Sequence, residues 1–138
     1  MRRTIALLSA GLLLSVGAVV GVATPATAVN TGDCPKGYWC AWWDIGYSNL
    51  LGQRSETTWN MSPTANDQAS AIAANGGFCK ATRFYEHTNR GGKYIELYSQ
   101  SLKGTNYKDP DLRNGAGISP YATENWNDRI SSVMFTQC

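Results

Sequence analysis

Two short stretches carry most of the side chains suited to chemistry. They are Asn66-Asp67-Gln68-Ala69-Ser70-Ala71 and Asn127-Asp128-Arg129-Ile130-Ser131-Ser132, both N-D-x-x-S followed by a small residue. Each offers carboxylate, amide, hydroxyl and backbone oxygens in close succession, the hard donors that Ca²⁺ takes. Calcium needs roughly six to eight oxygens, so one stretch is insufficient, whereas two that face one another, aided by nearby hairpin carbonyls, would suffice. The structural alternative is that Asn or Asp followed by Ser closes turns and caps through local side-chain hydrogen bonds.

Other constellations are sparse. The chain has one histidine, His87. A His-pair zinc site within one chain is therefore excluded, and a Ser-His-Asp triad would have to use a residue in a predicted turn. The four cysteines, Cys34, Cys40, Cys79 and Cys138, are an even number, which in an exported chain reads as two disulfides. Of the three pairings we prefer Cys34–Cys40, around Pro35 and Gly37, with Cys79–Cys138, which ties the chain end to the start of the second half. Four thiolates around zinc would lack the usual C-x-x-C spacing, and oxidised cysteines supply no nucleophile. Glu86 and Glu96 form a carboxylate pair of the glycosidase kind on paper, but ten acids on one small surface produce such pairs by chance. No Gly-rich phosphate loop precedes a helix. The chain reads as a binding protein, not an enzyme.

The elements that must position these residues are strands. Strand formers and turn formers alternate throughout, and no long stretch has helical periodicity. Arg83-Phe84-Tyr85-Glu86 is strand-like, His87–Gly92 is a turn, and Lys93–Tyr98 alternates polar and apolar as a half-buried strand does. An aromatic run, Trp39, Trp42 and Trp43, followed by a polar loop from Gly46 to Gly52, repeats the idea in the first half. The turns lie about 43 residues apart and the N-D-x-x-S stretches 61, so an internal duplication with an insertion in the second copy is the simplest account. The insertion is Gly104–Thr123, rich in Gly, Asn, Asp and Pro, which reads as a long loop of the kind that often carries function; the alternative is an insertion tolerated between strands. Short helical turns are expected near Pro63–Ser70 or Asp109–Arg113.

Residues 1–28 have the form of a signal peptide: Arg2 and Arg3, an apolar run from Ile5 to Val22, then Ala26-Thr27-Ala28. Read as a membrane anchor, the run would be diluted by Ser9, Ser15 and glycines. Cleavage after Ala28 leaves residues 29–138 as one domain, able to bury roughly two-thirds of its unfolded surface. The formal charge of +2 falls to zero once Arg2 and Arg3 are removed. A neutral chain without a basic stripe is a poor partner for nucleic acid, and no polybasic patch draws it to a membrane after cleavage.

At this point the residues resemble a family. Phe84-Tyr85-Glu86-His87-Thr88-Asn89-Arg90-Gly91-Gly92 is similar to the folded-hairpin signature of βγ-crystallin Greek keys, and Trp42-Trp43-Asp44-Ile45-Gly46-Tyr47 is a looser copy. The N-D-x-x-S-S stretch is similar to the calcium-clamp motif of microbial members. The opening Cys34-Pro35-Lys36-Gly37-Tyr38-Trp39-Cys40 resembles the start of secreted actinobacterial proteins grouped in peptidase inhibitor family I36. The resemblance implies an all-β, βγ-crystallin-like sandwich of two Greek-key motifs. It also implies calcium held by side-chain oxygens of Asp67 and Asp128, hydroxyls of Ser70 and Ser131 and carbonyls of Gln68 and Arg129, with hairpin carbonyls near Asp44 and Glu86 completing the shells. The first half departs from the pattern: Ala71 replaces the last Ser, and Ser48-Asn49 stands where the second hairpin has Gly91-Gly92.

Three functions follow as expectations. The first is a secreted inhibitor of an extracellular protease, with Gly104–Thr123 as the contact loop because an inhibitor presents a rigid, protruding segment. The second is a calcium-stabilised extracellular structural module. The third is a glycan- or wall-binding antifungal protein using the five tryptophans, Trp39, Trp42, Trp43, Trp59 and Trp126; the alternative for these is core packing.

Overall fold

A computed structural model describes residues 32–101 and 106–138. The signal segment 1–28, its cleavage point and the start of the Gly104–Thr123 insertion lie outside them.

Among the described residues eight strands run in order: β1 Tyr38–Asp44, β2 Ser48–Arg54, β3 Thr58–Asn60, β4 Ala71–Asn75, β5 Ala81–His87, β6 Gly91–Tyr98, β7 Lys108–Asp109 and β8 Ser132–Thr136. They form two antiparallel four-stranded sheets, ordered β2-β1-β4-β7 and β3-β8-β5-β6. The first four strands make one Greek key and the last four the other, and each key sends its third strand into the other's sheet. β3 pairs with β8, Trp59 opposite Val133, and β7 pairs with β4, Ile72 opposite Asp109. Neither half can complete its sheet without the other.

The hairpins of the two halves share one backbone shape. Each pair of long strands is joined by a three-residue turn, Ile45–Tyr47 or Thr88–Arg90. The positive-φ positions match at a spacing of 43: Gly46 with Asn89, Tyr47 with Arg90, Asn49 with Gly92. Asn49 therefore takes the left-handed conformation that glycine supplies in the second hairpin. Asn tolerates that region better than most residues, so the missing Gly-Gly does not prevent the fold. The polar run Gly46–Gly52, expected to be a loop, is this turn followed by β2. Its polarity has another cause, since β2 is an edge strand with mostly exposed side chains.

Strand periodicity explains why β1 is apolar on both faces. Trp39 and Ala41 point into the core between the sheets, with Phe84, Trp126, Val133 and Ile72. Cys40 and Trp42 point outward into a second cluster with Cys34, Tyr47, Ala71 and Ala73. The Cys34–Cys40 bridge closes this outer layer, and Cys79–Cys138 joins the start of the second key to the chain end.

Candidate functional site

The structure brings the two N-D-x-x-S stretches together. Asp67 N–H donates to Ile130 O and Asp128 N–H donates to Ala69 O, both at 3.0 Å. Asp67 and Asp128 share φ 55, a left-handed turn that Asp accommodates because its short side chain bonds locally. The neighbouring amide steadies each carboxylate: Asn66 Nδ2 donates to Asp67 Oδ2 at 2.8 Å and Asn127 Nδ2 to Asp128 Oδ2 at 2.6 Å. Each stretch is also tied to its own hairpin, Ser70 N–H to Trp42 O and Ser131 N–H to Tyr85 O, both at 2.9 Å. The arrangement is a pseudo-twofold knot at the head of β4 and β8.

Side-chain oxygens converge most closely on one side of the knot. Ser131 Oγ lies 2.8 Å from Asp67 Oδ1 and 2.8 Å from the Glu86 carbonyl, so one carboxylate, one hydroxyl and one hairpin carbonyl meet. Asn66 Oδ1, beside this carboxylate, is buried without a hydrogen-bond partner. On the other side Ser70 and Asp128 hold the corresponding positions, but among the described residues no hydrogen bond joins their side chains. The hairpin residue that corresponds to Glu86 at the spacing of 43 is Trp43, one before Asp44. Asp44 instead accepts Asn49 Nδ2 at 2.6 Å within its own hairpin. Gln68 is exposed and its side chain donates to Asp67 O at 2.7 Å.

The Glu86 and Arg129 side chains are engaged elsewhere, which leaves their backbone oxygens as the relevant ones. Arg129 reaches Glu86 Oε1 at 2.7 Å and Glu124 Oε2 at 3.1 Å, and its guanidinium lies 4.7 Å from the Trp126 ring centre. The hydrogen bond from Arg129 holds the Glu86 carboxyl below its ordinary pKa. Ser132, the second serine of the stretch, bonds His87 O at 2.6 Å and accepts from Arg90 N–H at 3.0 Å, so it staples the second hairpin to β8. Ala71 cannot do this in the first half. The donor set is one of hard oxygens and suits Ca²⁺. No group of three or more His, Cys, Asp or Glu able to hold a metal occurs among the described residues, so such an ion would rest largely on hydroxyl and carbonyl oxygens.

The remaining candidates fall out differently. His87 is exposed at the end of β5. Glu96 is bound by Arg83 at 2.7 Å while Glu86 belongs to Arg129, so each carboxylate of that pair has its own cation. Of the tryptophans, Trp39, Trp42 and Trp126 are buried and Trp59 packs against the core; among the described residues Trp43, 40 % exposed, is the open one. An aromatic binding face is therefore not what these residues form. The described part of Gly104–Thr123 is not a protruding loop either. It contains β7, Leu112 is fully buried, and Ala116 N–H and Ile118 N–H bond Ala122 O and Glu96 O at 2.8 Å each. Its turn-rich composition reflects close packing against both keys. A residue that the sequence reading passed over is Phe78, 93 % exposed in the link between the keys. The signal was available, an apolar side chain between Gly77 and a disulfide cysteine.

The model of peptidase inhibitor family I36 matches residues 27–98. A βγ-crystallin domain, solved in work on the evolution of the eye-lens domain fold, is similar at 18 % identity with a TM-score of 0.52, over 74 % of this chain and 88 % of that one. The N-terminal domain of protein S aligns at 12 % identity and TM-score 0.43, over 70 % of this chain and 92 % of that one. Spherulin 3a from Physarum polycephalum aligns at 16 % identity and TM-score 0.44, over 77 % and 88 %. No curated protein sequence matches the chain.

Proposed function

The chain belongs to peptidase inhibitor family I36 and has a βγ-crystallin fold, and on that premise we propose that it is an exported inhibitor of an extracellular protease, stiffened by calcium at the knot between its two Greek keys. Export is supported by the signal-like residues 1–28 and by two disulfides, which persist in oxidising compartments. The inhibitory reading is carried by the family match over residues 27–98. Rigidity fits it, because a pre-ordered surface loses less entropy on binding an enzyme. The calcium reading is carried by the meeting of Asp67, Ser131 and the Glu86 carbonyl; Asp128, Ser70 and the Trp43–Asp44 carbonyls would form its pseudo-symmetric partner, with Gln68 and Arg129 offering backbone oxygens.

The test is a screen of purified mature protein against serine and metalloproteases, with melting curves in millimolar calcium and in chelator. Inhibition of an extracellular protease supports the first part, and a calcium-dependent rise in melting temperature supports the second. A calcium shift without inhibition would favour the structural module, which the converging oxygens support by themselves.

A further inference from the structure

The link Gly76–Lys80 between β4 and β5 is a tight turn, closed by Cys79 N–H donating to Gly76 O at 3.2 Å. Phe78 stands at its apex, 93 % exposed, whereas the next most open large apolar side chain among the described residues, Leu50, is 51 % exposed. Scattered surface hydrophobes are ordinary; what sets Phe78 apart is how firmly it is held out. Cys79 is bridged to Cys138. Asn75, just before the turn, donates from Nδ2 to Cys34 O at 2.9 Å and accepts Ser101 N–H at Oδ1 at 3.0 Å. Gly76 lies directly on the core, since a Cβ there would stand 2.9 Å from the Phe135 ring, and Gly77 supplies the positive φ of 67° that the turn needs. Beside Phe78 opens a hollow of about 390 Å³, lined by Lys36, Gly37, Thr57 and Phe135 among others. Both disulfide loops therefore border one turn, and that turn presents an aromatic side chain to solvent.

We propose that this turn is the protease contact, with Phe78 as its anchor in an enzyme specificity pocket that accepts large apolar side chains. The proposal rests on the inhibitor reading above and gives it a surface and an enzyme class. Aromatic side chains seated in pockets dominate interface energetics, and an aromatic has few torsions to freeze on binding. The turn is ordered in advance, which keeps the cost of association low. The rival anchor on the same turn is Lys80, also exposed, which would instead suit an acidic pocket.

The experiment measures inhibition constants of the full mature protein against chymotrypsin, subtilisin and thermolysin, which take large apolar residues, and against trypsin, which takes basic ones. Phe78→Ala, Phe78→Asp, Lys80→Ala and Trp43→Ala are compared with the parent, and melting curves check that each is folded. The expected result is inhibition of at least one of the first three, weakened more than tenfold by Phe78→Ala and more than a hundredfold by Phe78→Asp. Melting temperatures should be unchanged, and Lys80→Ala and Trp43→Ala should match the parent. Equal inhibition by the parent and Phe78→Ala, or loss confined to Lys80→Ala with trypsin as the target, would overturn the anchor while leaving the inhibitor reading intact. Failure of the parent to inhibit any of the four would overturn both.

Discussion

Gly46 and Gly117 offer a matched pair for deciding whether residues 106–123 are structure or a tolerated insertion. Their φ values are nearly equal, 69° and 64°, so an alanine at either meets the same left-handed strain, about 1 kcal/mol. Both also lose the same unfolded-chain entropy. They differ in their walls. A Cβ at Gly46 has nothing within 4 Å, whereas one at Gly117 runs into the Glu96 carbonyl oxygen and presses Leu97 Cδ2 at 3.1 Å. Relieving that collision breaks the bond from Ile118 N–H to Glu96 O, worth about 1 kcal/mol, and crowds the buried Leu97, costing about 1–3 kcal/mol. Gly46→Ala should therefore cost about 1 kcal/mol and Gly117→Ala about 3–5 kcal/mol. For a domain of this size those are drops of roughly 5 °C and 15–25 °C in melting temperature, read by calorimetry at neutral pH. Equal drops would mean that the segment moves aside freely, and the packing argument for it would be wrong.

Replacing both members of a disulfide with alanine should cost about 4 kcal/mol for Cys79–Cys138, whose ends are 59 residues apart, and about 2 kcal/mol for Cys34–Cys40, six apart; denaturant unfolding of the two double variants checks the order. In the calcium reading, Asp67→Ala should remove more of the calcium-dependent melting shift than Asp128→Ala, because Asp67 accepts from Ser131 Oγ, which also reaches the Glu86 carbonyl; the reverse order would move the stronger site to the Ser70 side. Tyr47 should titrate near pH 12, raised first by burial and then by Asp109 and Tyr107, so absorbance at alkaline pH should show one of the seven tyrosines ionising late. Its folded pKa lies above the unfolded value, so the stability it contributes is present below about pH 10 and lost as pH rises toward 12. Glu86 has the opposite sign: its pKa is lowered by Arg129, so its contribution is lost as pH falls below the ordinary carboxylate range, and Arg129→Ala should flatten the acid limb of the stability curve.

The long strands were legible because their side chains alternate, and the hairpins because their turn residues repeat at a fixed spacing. β3 and β7 were not. They are three and two residues long, too short for any periodicity, and they are defined by pairing with strands of the other key. The exchange that makes the halves interdependent is a long-range fact with no local signature. The N-D-x-x-S stretches were found by type and spacing, but their asymmetry was not: the Ser131 side carries the close oxygens although its carboxylate comes from the first half. Residues 106–123 read as a protruding loop because glycine marks both open loops and tight packing, and Gly115 and Gly117 are of the second kind.

The knot and the exposed turn sit at opposite ends of the same strands. Ser70 and Ser131 precede β4 and β8, whereas Gly76 follows the end of β4 and Cys138 follows that of β8. Five residues of strand separate the ends of each, roughly 17 Å at the usual rise. Both strands are interior to their sheets and packed in the core, so a change at one end reaches the other only by distorting paired backbone. The disulfide end keeps its shape through covalent bonds and the Asn75 side chain, without help from the knot. Calcium and inhibition should therefore be thermodynamically independent: adding calcium would raise the melting temperature while leaving the inhibition constant unchanged within about twofold. The measurement pairs both readouts on one sample, well below the melting point of the chelator-treated protein. A change of tenfold or more on chelation, with the domain still folded, would show coupling between the ends and would refute the view of β4 and β8 as rigid spacers between a stabilising site and a contact site.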